Sequence, residues 1–516
     1  MQNKTGKQVE RRLSIKNMYF IKQKEKKYGH KLWLYIFAVT LANALGVASV
    51  VPAMAQSDVK FNEGVRYSQW VIDSRLGDFY GNTNDFGFTT YNRNLSVKKD
   101  VTKWKNGSTN PYIDYVPGLV AKATIEAAEY YKNFDWAKPW FKSVEWYGNK
   151  CTVPTEPDNL DAINASKMYF GIYALANGSF SSNAESTTAS KATTQLGNAL
   201  SALKHYNETY AFPASTTLNG KDIAGGWYHK SSYSKQMWLD GQYMGPALLA
   251  QLINGYLSYS AISDNDWDLI AKQFTIVWEQ CWDDKEKLLY HAFSSEALEY
   301  WTSDAEIWTT AQTDKTKWTS MDAAGHSSAF WGRAEGWYFL ALVDVLEQMP
   351  TTNNNYNTLK SYLTTLADGI KARQDATSGC WYQLVGKDRN YTASYYNGNS
   401  ANPKTNYLES SCTAIFATAY LKAVRLGLLS NDYKTIGENA YKGAVAQFMK
   451  QRTDGSVDLL GCCKSAGVGT AALGNEKFRD GSNAYYLHGY DVAPTSTTSN
   501  YYTEGKVMCA FIMAAT

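Results

Sequence analysis

Apolar residues recurring at steps of three and four, over and over along 516 residues, constrain this chain more than any other feature. Trp267, Ile270, Phe274, Val277/Trp278 and Cys281 form one such stripe, and Leu408, Cys412, Ile415 and Ala419 form another that runs to a C-capping Gly427. Comparable patterns occupy 118–133, 161–178, 191–206, 241–260, 337–349, 356–375, 433–452 and 504–515, with an eleventh at Tyr67 to Arg75. Few segments alternate with period two, so an extensive sheet is not expected. Connections between the helices also repeat: Gly226-Trp227-Tyr228-His229 returns as Gly379-Cys380-Trp381-Tyr382-Gln383, and more weakly as Leu289-Tyr290-His291. A loop signature recurring on helical hairpins points to a repeated helix-pair array. Six pairs would close into an all-α (α/α)6 barrel, the alternative being an open solenoid; clustering of so many Trp, Tyr and His residues in loops at one end favours the ring.

Charge is unevenly placed. The whole chain carries 51 Lys+Arg and 48 Asp+Glu, a net of +3, but residues 1–55 hold ten basic and two acidic residues. Their basic start leads into an apolar run from Leu32 to Val51 and then Ala53-Met54-Ala55, the pattern of a secretory signal cut after Ala55. An uncleaved anchor is the alternative, because 20 residues suffice to span a bilayer. Residues 57–516 then read as one exported domain, periplasmic or secreted, with Ser179–Thr194 as a surface insertion. Residues 56–516 carry 41 basic and 46 acidic residues, a balance of −5 that offers nothing to nucleic acid or, once the signal is removed, to an anionic membrane. Seven cysteines at scattered positions read as buried hydrophobes, and adjacent Cys462 and Cys463 lack the spacing of a zinc knuckle. Gly467–Ala472 imitates a dinucleotide fingerprint without the strand–helix–strand unit that such a fingerprint needs.

Phosphate loops, zincin motifs and nucleophile elbows are lacking. What remains is acid, histidine and aromatic chemistry in loops. Asp240 follows Trp238 at the start of an apolar helix, with His229 and Lys230 shortly before it. Asp240 is either a helix cap or a proton donor whose carboxyl an aromatic wall lifts toward working pH. Asp158-Asn159-Leu160-Asp161-Ala162-Ile163-Asn164 forms a second acid cluster, and Trp331-Gly332-Arg333-Ala334-Glu335-Gly336-Trp337 sets an arginine between two indoles, suited to a carboxylate or a sugar face.

In these residues and their order the chain resembles the unsaturated rhamnogalacturonyl hydrolases of glycoside hydrolase family 105 and the related unsaturated glucuronyl hydrolases of family 88. The likeness rests on Asn159–Asn164, His229–Gly241, Trp331–Trp337, Trp381-Tyr382-Gln383, Tyr407–Ser411 and Arg479–Ser482 with Tyr485-Tyr486. It implies an (α/α)6 barrel that hydrates the enol-ether double bond of a 4,5-unsaturated uronic acid on a lyase-generated oligosaccharide, without metal or organic cofactor. By motif, Asp240 is the general acid/base and Asp161 the second essential aspartate. His229, Lys230, Trp238, His291, Trp331, Arg333 and Trp337 fall on substrate-contacting positions. A conventional inverting glycosidase using Asp161 and Asp240, and a non-catalytic carbohydrate-binding toroid, are the alternatives. Glu335 departs from the family, which more often has Gly-Asn at 334–335, and would place negative charge near an anionic sugar.

Overall fold

The computed structural model describes residues 56–80, 115–147, 153, 156–255, 265–295, 325–393, 404–463, 466–468, 481–488 and 503–516. The basic leader, Cys151, Gly469–Ala472 and Arg479-Asp480 lie outside them. The described helices are α1 (Tyr67–Tyr80), α2 (Tyr115–Tyr131), α3 (Phe134–Tyr147), α4 (Leu160–Asn164), α5 (Met168–Asn177), α6 (Thr188–Thr209), α7 (Leu239–Met244) and α8 (Pro246–Gly255). They continue with α9 (Asn265–Cys281), α10 (Gly332–Gln348), α11 (Tyr356–Lys371), α12 (Ser410–Arg425), α13 (Lys434–Phe448), α14 (Asn483–His488) and α15 (Gly505–Met513). No helix among the described residues is long and apolar enough to cross a membrane.

Six units form an inner ring: α2, α4 with α5, α7 with α8, α10, α12 and α15. Each packs on the next, and α15 packs back on α2, so the ring is closed. The outer helices α3, α6, α9, α11 and α13 cover successive inner ones, and α1 packs on α15, joining the two ends of the domain. This is the (α/α)6 toroid, and ring closure rejects the open solenoid. Two inner units are broken. Ala165–Lys167 is a tighter 3-10 turn between α4 and α5, and at Gly245-Pro246 the proline lacks the N–H that would continue α7 and instead starts α8.

The repeated loop signature has a structural cause. Trp227 Nε1 donates to Asn207 Oδ1 at 2.7 Å and Trp381 Nε1 donates to the Ile370 carbonyl at 2.8 Å, so each buried indole clips its loop to the last turn of the preceding outer helix. In the weaker copy the Tyr290 N–H donates to the carbonyl of Cys281, the end of α9, at 2.8 Å. Strands are short. β1 (Gln56–Asp58), β5 (Met449–Arg452) and β6 (Val457–Leu459) make an antiparallel sheet, and β2 (Gln236–Trp238) pairs antiparallel with β4 (Ala292–Ser294), just after β3 (Leu288–Leu289).

One local expectation changes. The stretch Ser179–Thr194 is only partly a surface loop, because α6 begins at Thr188 and buries Thr188 and Ala192. The six described cysteines are buried and unbridged, as an apolar role requires. Gly427 sits at a φ of +70° just past the C-terminus of α12, where its N–H donates to the Val424 carbonyl, a conformation that costs glycine little.

Candidate active site

The inner units begin at the same end of the toroid, and the described residues that lead into α4, α7, α10 and α12 gather around one basin. β2 delivers Trp238 opposite Ala292 of β4, and the Leu239 N–H donates to the His291 carbonyl at 2.9 Å. This pairing sets Asp240, in the first turn of α7, beside His291: Nε2 lies 3.0 Å from Oδ2. Asp240 therefore does not act as a cap. The cap position is Trp238, and the carboxylate, 13% of whose side chain stays open, turns to the histidine. An ionised carboxylate only accepts hydrogen bonds, so Nε2–H donates, while Nδ1 is paired with the Tyr486 hydroxyl, which sits against it.

The second acid is held on the opposite loops. Asn159 caps α4, its Oδ1 accepting from the Asp161 N–H at 2.9 Å. Asn159 bridges Lys230, and the Leu160 N–H donates to the His229 carbonyl, so the two loops are laced together. Asp161 consequently meets Lys230 Nζ at 2.6 Å and His229 Nε2 at 3.5 Å. Lys230 keeps 24% of its side chain exposed. Between the two acids stands Trp238, stacked on His229 at 4.7 Å and on Tyr233 at 4.8 Å, with His291 at its edge. Its Nε1 donates to Gln236 Oε1 at 2.9 Å.

A third wall comes from α10. Trp331 donates to Gln383 Oε1 at 3.1 Å and meets the His291 ring edge-on at 4.8 Å. Arg333 lies 4.5 Å over the Trp331 ring and donates to Ser411 Oγ at 3.2 Å and to the Cys463 carbonyl at 2.5 Å. Ser411 in turn donates to Glu409, which caps α12. The guanidinium is thus only 2% exposed, locked behind Trp331. Trp337 stands apart: its ring is fully buried, 4.8 Å from that of Tyr243 and 6.5 Å from that of Tyr115, in the core layer beneath the basin.

Burial and neighbours set the charges. Burial pulls the His229 imidazole down to about 4, against the opposing pull of Asp161, so this ring is neutral at ordinary pH. Burial alone would raise the Asp240 carboxyl, but the His291 hydrogen bond, with the Arg333 guanidinium adding a fixed positive charge nearby, outweighs it and holds the group below its usual range. This corrects the expectation of an aromatic wall lifting that carboxyl: the wall is present, yet it carries a histidine bond. Glu335 is likewise corrected. Burial drives its carboxyl well upward, with only the Leu289 N–H, 2.7 Å from Oε1, acting against it; fully buried, it is a strut to β3 rather than a group facing a substrate.

The structure therefore brings Asp161, His229, Lys230, Trp238, Asp240, His291 and Trp331 together, sets Arg333 behind them and places Trp337 below. Sequence reading passed over Tyr233, Gln236 and Tyr486 as site groups. Tyr486 and Gln383 stand within elements that carry the family resemblance, whereas Tyr233 sits in a Ser-Ser-Tyr-Ser loop with no distinguishing pattern.

Comparison with known proteins agrees with this architecture. The sequence model of Glycosyl Hydrolase Family 88 matches residues 90–515. Among solved structures, a glycoside hydrolase from family 105 of C. acetobutylicum ATCC 824 superposes with a TM-score of 0.60 at 23% identity, covering 87% of this chain and 98% of that one. A possible family 105 member from Klebsiella pneumoniae superposes at 0.54 with 16% identity, over 89% and 95%. Protein Atu3128 of Agrobacterium fabrum is 34% identical over 168 residues, 32% of this chain and 65% of that protein's length, as is a 24.9 kDa protein in the picA locus of Rhizobium radiobacter.

Proposed function

The chain belongs to glycosyl hydrolase family 88, and on that premise we propose that it removes a 4,5-unsaturated uronic acid from the non-reducing end of lyase-generated oligosaccharides, those of rhamnogalacturonan first. The observation that carries this reading is Asp240: a partly open carboxylate gripped by His291 at 3.0 Å, in a basin walled by stacked aromatics and faced by the Asp161–Lys230–His229 group. One acid that gives and then takes a proton is the minimum that hydration of a double bond needs. Substrate preference for rhamnogalacturonan rests on the sequence motifs.

In the free site Asp240 is anionic. A uronate carboxylate entering the basin opposes that ionisation, because like charges close together raise one another's pKa, and so favours the protonated acid when substrate is present. Asp240 then donates its proton to C4 of the C4=C5 bond, and positive charge develops on C5 and the ring oxygen. A water adds to C5 and returns a proton to Asp240, regenerating the acid. The product is a hemiketal that opens to a 5-keto sugar and frees the neighbouring residue, with one water consumed. Lys230 and neutral His229 hold Asp161 in place to accept ring hydroxyls, Trp238 and Trp331 supply apolar faces, and Tyr486 fixes the His291 ring against Asp240.

The test is a panel of lyase digests of rhamnogalacturonan, ulvan and glycosaminoglycan, read by loss of the ultraviolet band of the unsaturated uronate and by product analysis. We expect turnover greatest on rhamnogalacturonan products and a fall of about 10³-fold in kcat for Asp240→Asn. Cleavage of saturated oligosaccharides with the band left intact would sink the hydration mechanism, and no turnover on any digest would sink the enzymatic reading.

A further inference from the structure

The inner helices that open the active site at their N-termini enclose, at their other ends, a cavity of about 720 Å³. It lies between the later turns of α2, α10 and α12, the end of α15 and the start of α8. That size is within the range of about 300–1,000 Å³ typical of small-molecule sites.

Its walls are ion pairs of both signs. Lys422 Nζ lies 2.7 Å from Asp344 and 2.6 Å from Glu347, and Lys122 Nζ lies 2.7 Å from Glu126. Such pairs set donors directly beside acceptors. A bare anion or cation meets its own sign as closely as the opposite one there, whereas a vicinal diol, each hydroxyl of which donates and accepts, matches both.

Beneath the cavity floor lie two buried polar groups. Lys167 Nζ and the Tyr243 hydroxyl are both fully buried, and neither has a hydrogen-bond partner among the described residues. Lys167 Nζ sits 3.4 Å over the Tyr243 ring and 3.7 Å from Asp344 Oδ2, both of which line the cavity. Burial pulls the Lys167 ammonium down to about 7, with Asp344, Lys122, Lys422 and Glu126 the charged groups that modulate it, and all four belong to the cavity wall. At the rim stands Tyr130, 62% exposed, an aromatic ring available to the C–H face of a sugar.

We propose that this mouth is a second, non-catalytic site for a neutral saccharide: Tyr130 stacks on the ring, and the Lys422–Asp344–Glu347 and Lys122–Glu126 groups take its hydroxyls. The lining acids outnumber Lys122, Lys422 and Arg425 by one, which disfavours a uronate here and separates this site from the basin at the other end. The proposal does not rest on the hydration reaction.

The experiment titrates the full chain with galactose, rhamnose and glucose, and with galacturonate as the anionic probe, by saturation-transfer NMR and calorimetry. At least one neutral sugar should bind saturably, in the Trp238→Ala variant as in the wild type, about tenfold tighter than galacturonate. Tyr130→Ala, at an exposed position that leaves the fold intact, should weaken that binding about tenfold, with turnover of unsaturated oligosaccharide unchanged. Three results would overturn the proposal: no saturable binding of any neutral sugar, binding that survives Tyr130→Ala, or galacturonate binding as tightly as the neutral probes.

Discussion

An ordinary imidazole takes up a proton near pH 6.5, but His229, sealed between Trp238, Leu160 and the Asp161 loop, does so only at about 4. Between these two values the unfolded chain binds a proton that the folded one refuses. Stability contributed by this site is therefore intact above about pH 6.5, falls as pH drops toward 4, and levels off below; the full loss is about 3 kcal/mol. Denaturant titrations at pH 7 and pH 4.5 should show the wild type losing more stability than His229→Asn, and an equal loss in both would refute the buried neutral ring. The same residue shows what sequence can and cannot disclose. His229, Lys230, Trp238, Asp240 and Asp161 lie within short motifs, so their grouping is legible. The direction of the Asp240 shift is not, because it depends on His291, 51 positions away in the chain, whose approach is fixed only when β2 and β4 pair. Arg333 was legible as an arginine between tryptophans, but its partners Ser411 and Cys463 arrive from other hairpins and turn it inward.

At the level of elements, periodicity found the inner helices and most outer ones, while α3 escaped it. Pro139 inside that helix reads as a breaker, yet Trp136, Ala137, Trp140, Phe141 and Val144 still bury one face. Two indole bonds, Trp136 to Asp73 and Trp140 to Thr124, help to hold the proline-containing turn in place. The outer helix α11 offers a sharper test of packing. Gly369 lets the helix backbone lie against the β-turn that ends at β3: a Cβ there would sit 1.8 Å from the Lys287 carbonyl oxygen, a backbone atom that cannot swing aside. Gly369→Ala should thus destabilise by about 3 kcal/mol, despite the gain in helix propensity of about 1 kcal/mol that the same change brings on an exposed helix. A thermal melt decides between the two. Because β3 leads within two residues to His291, the variant should also lose activity at temperatures where it stays folded; a variant as stable and active as the wild type would show that this contact is loose.

At the scale of the whole molecule two electrostatic effects of opposite sign compete for an anionic substrate. Residues 56–516 carry a net −5, which repels it, and added salt would then lower KM. Against this, the toroid aims the N-termini of all six inner units at one basin, each worth about half a positive charge, beside Lys230. Asp161, Asp240, Glu409 and Glu504 occupy the same end and cancel part of that field, Glu409 and Glu504 by capping α12 and α15 outright. The contest is settled by distance. Charges spread over the outer surface are screened beyond about 8 Å at physiological ionic strength, whereas the helix termini and Lys230 act from within the basin and the buried Arg333 from just behind its Trp331 wall. The local positive field therefore wins. KM for an unsaturated uronate should rise severalfold between about 20 and 300 mM salt, with kcat nearly constant because the proton transfers occur at hydrogen-bond range within the basin. A KM that falls with salt would mean that net charge governs capture, and that the convergence of helix ends contributes to the fold but not to substrate binding.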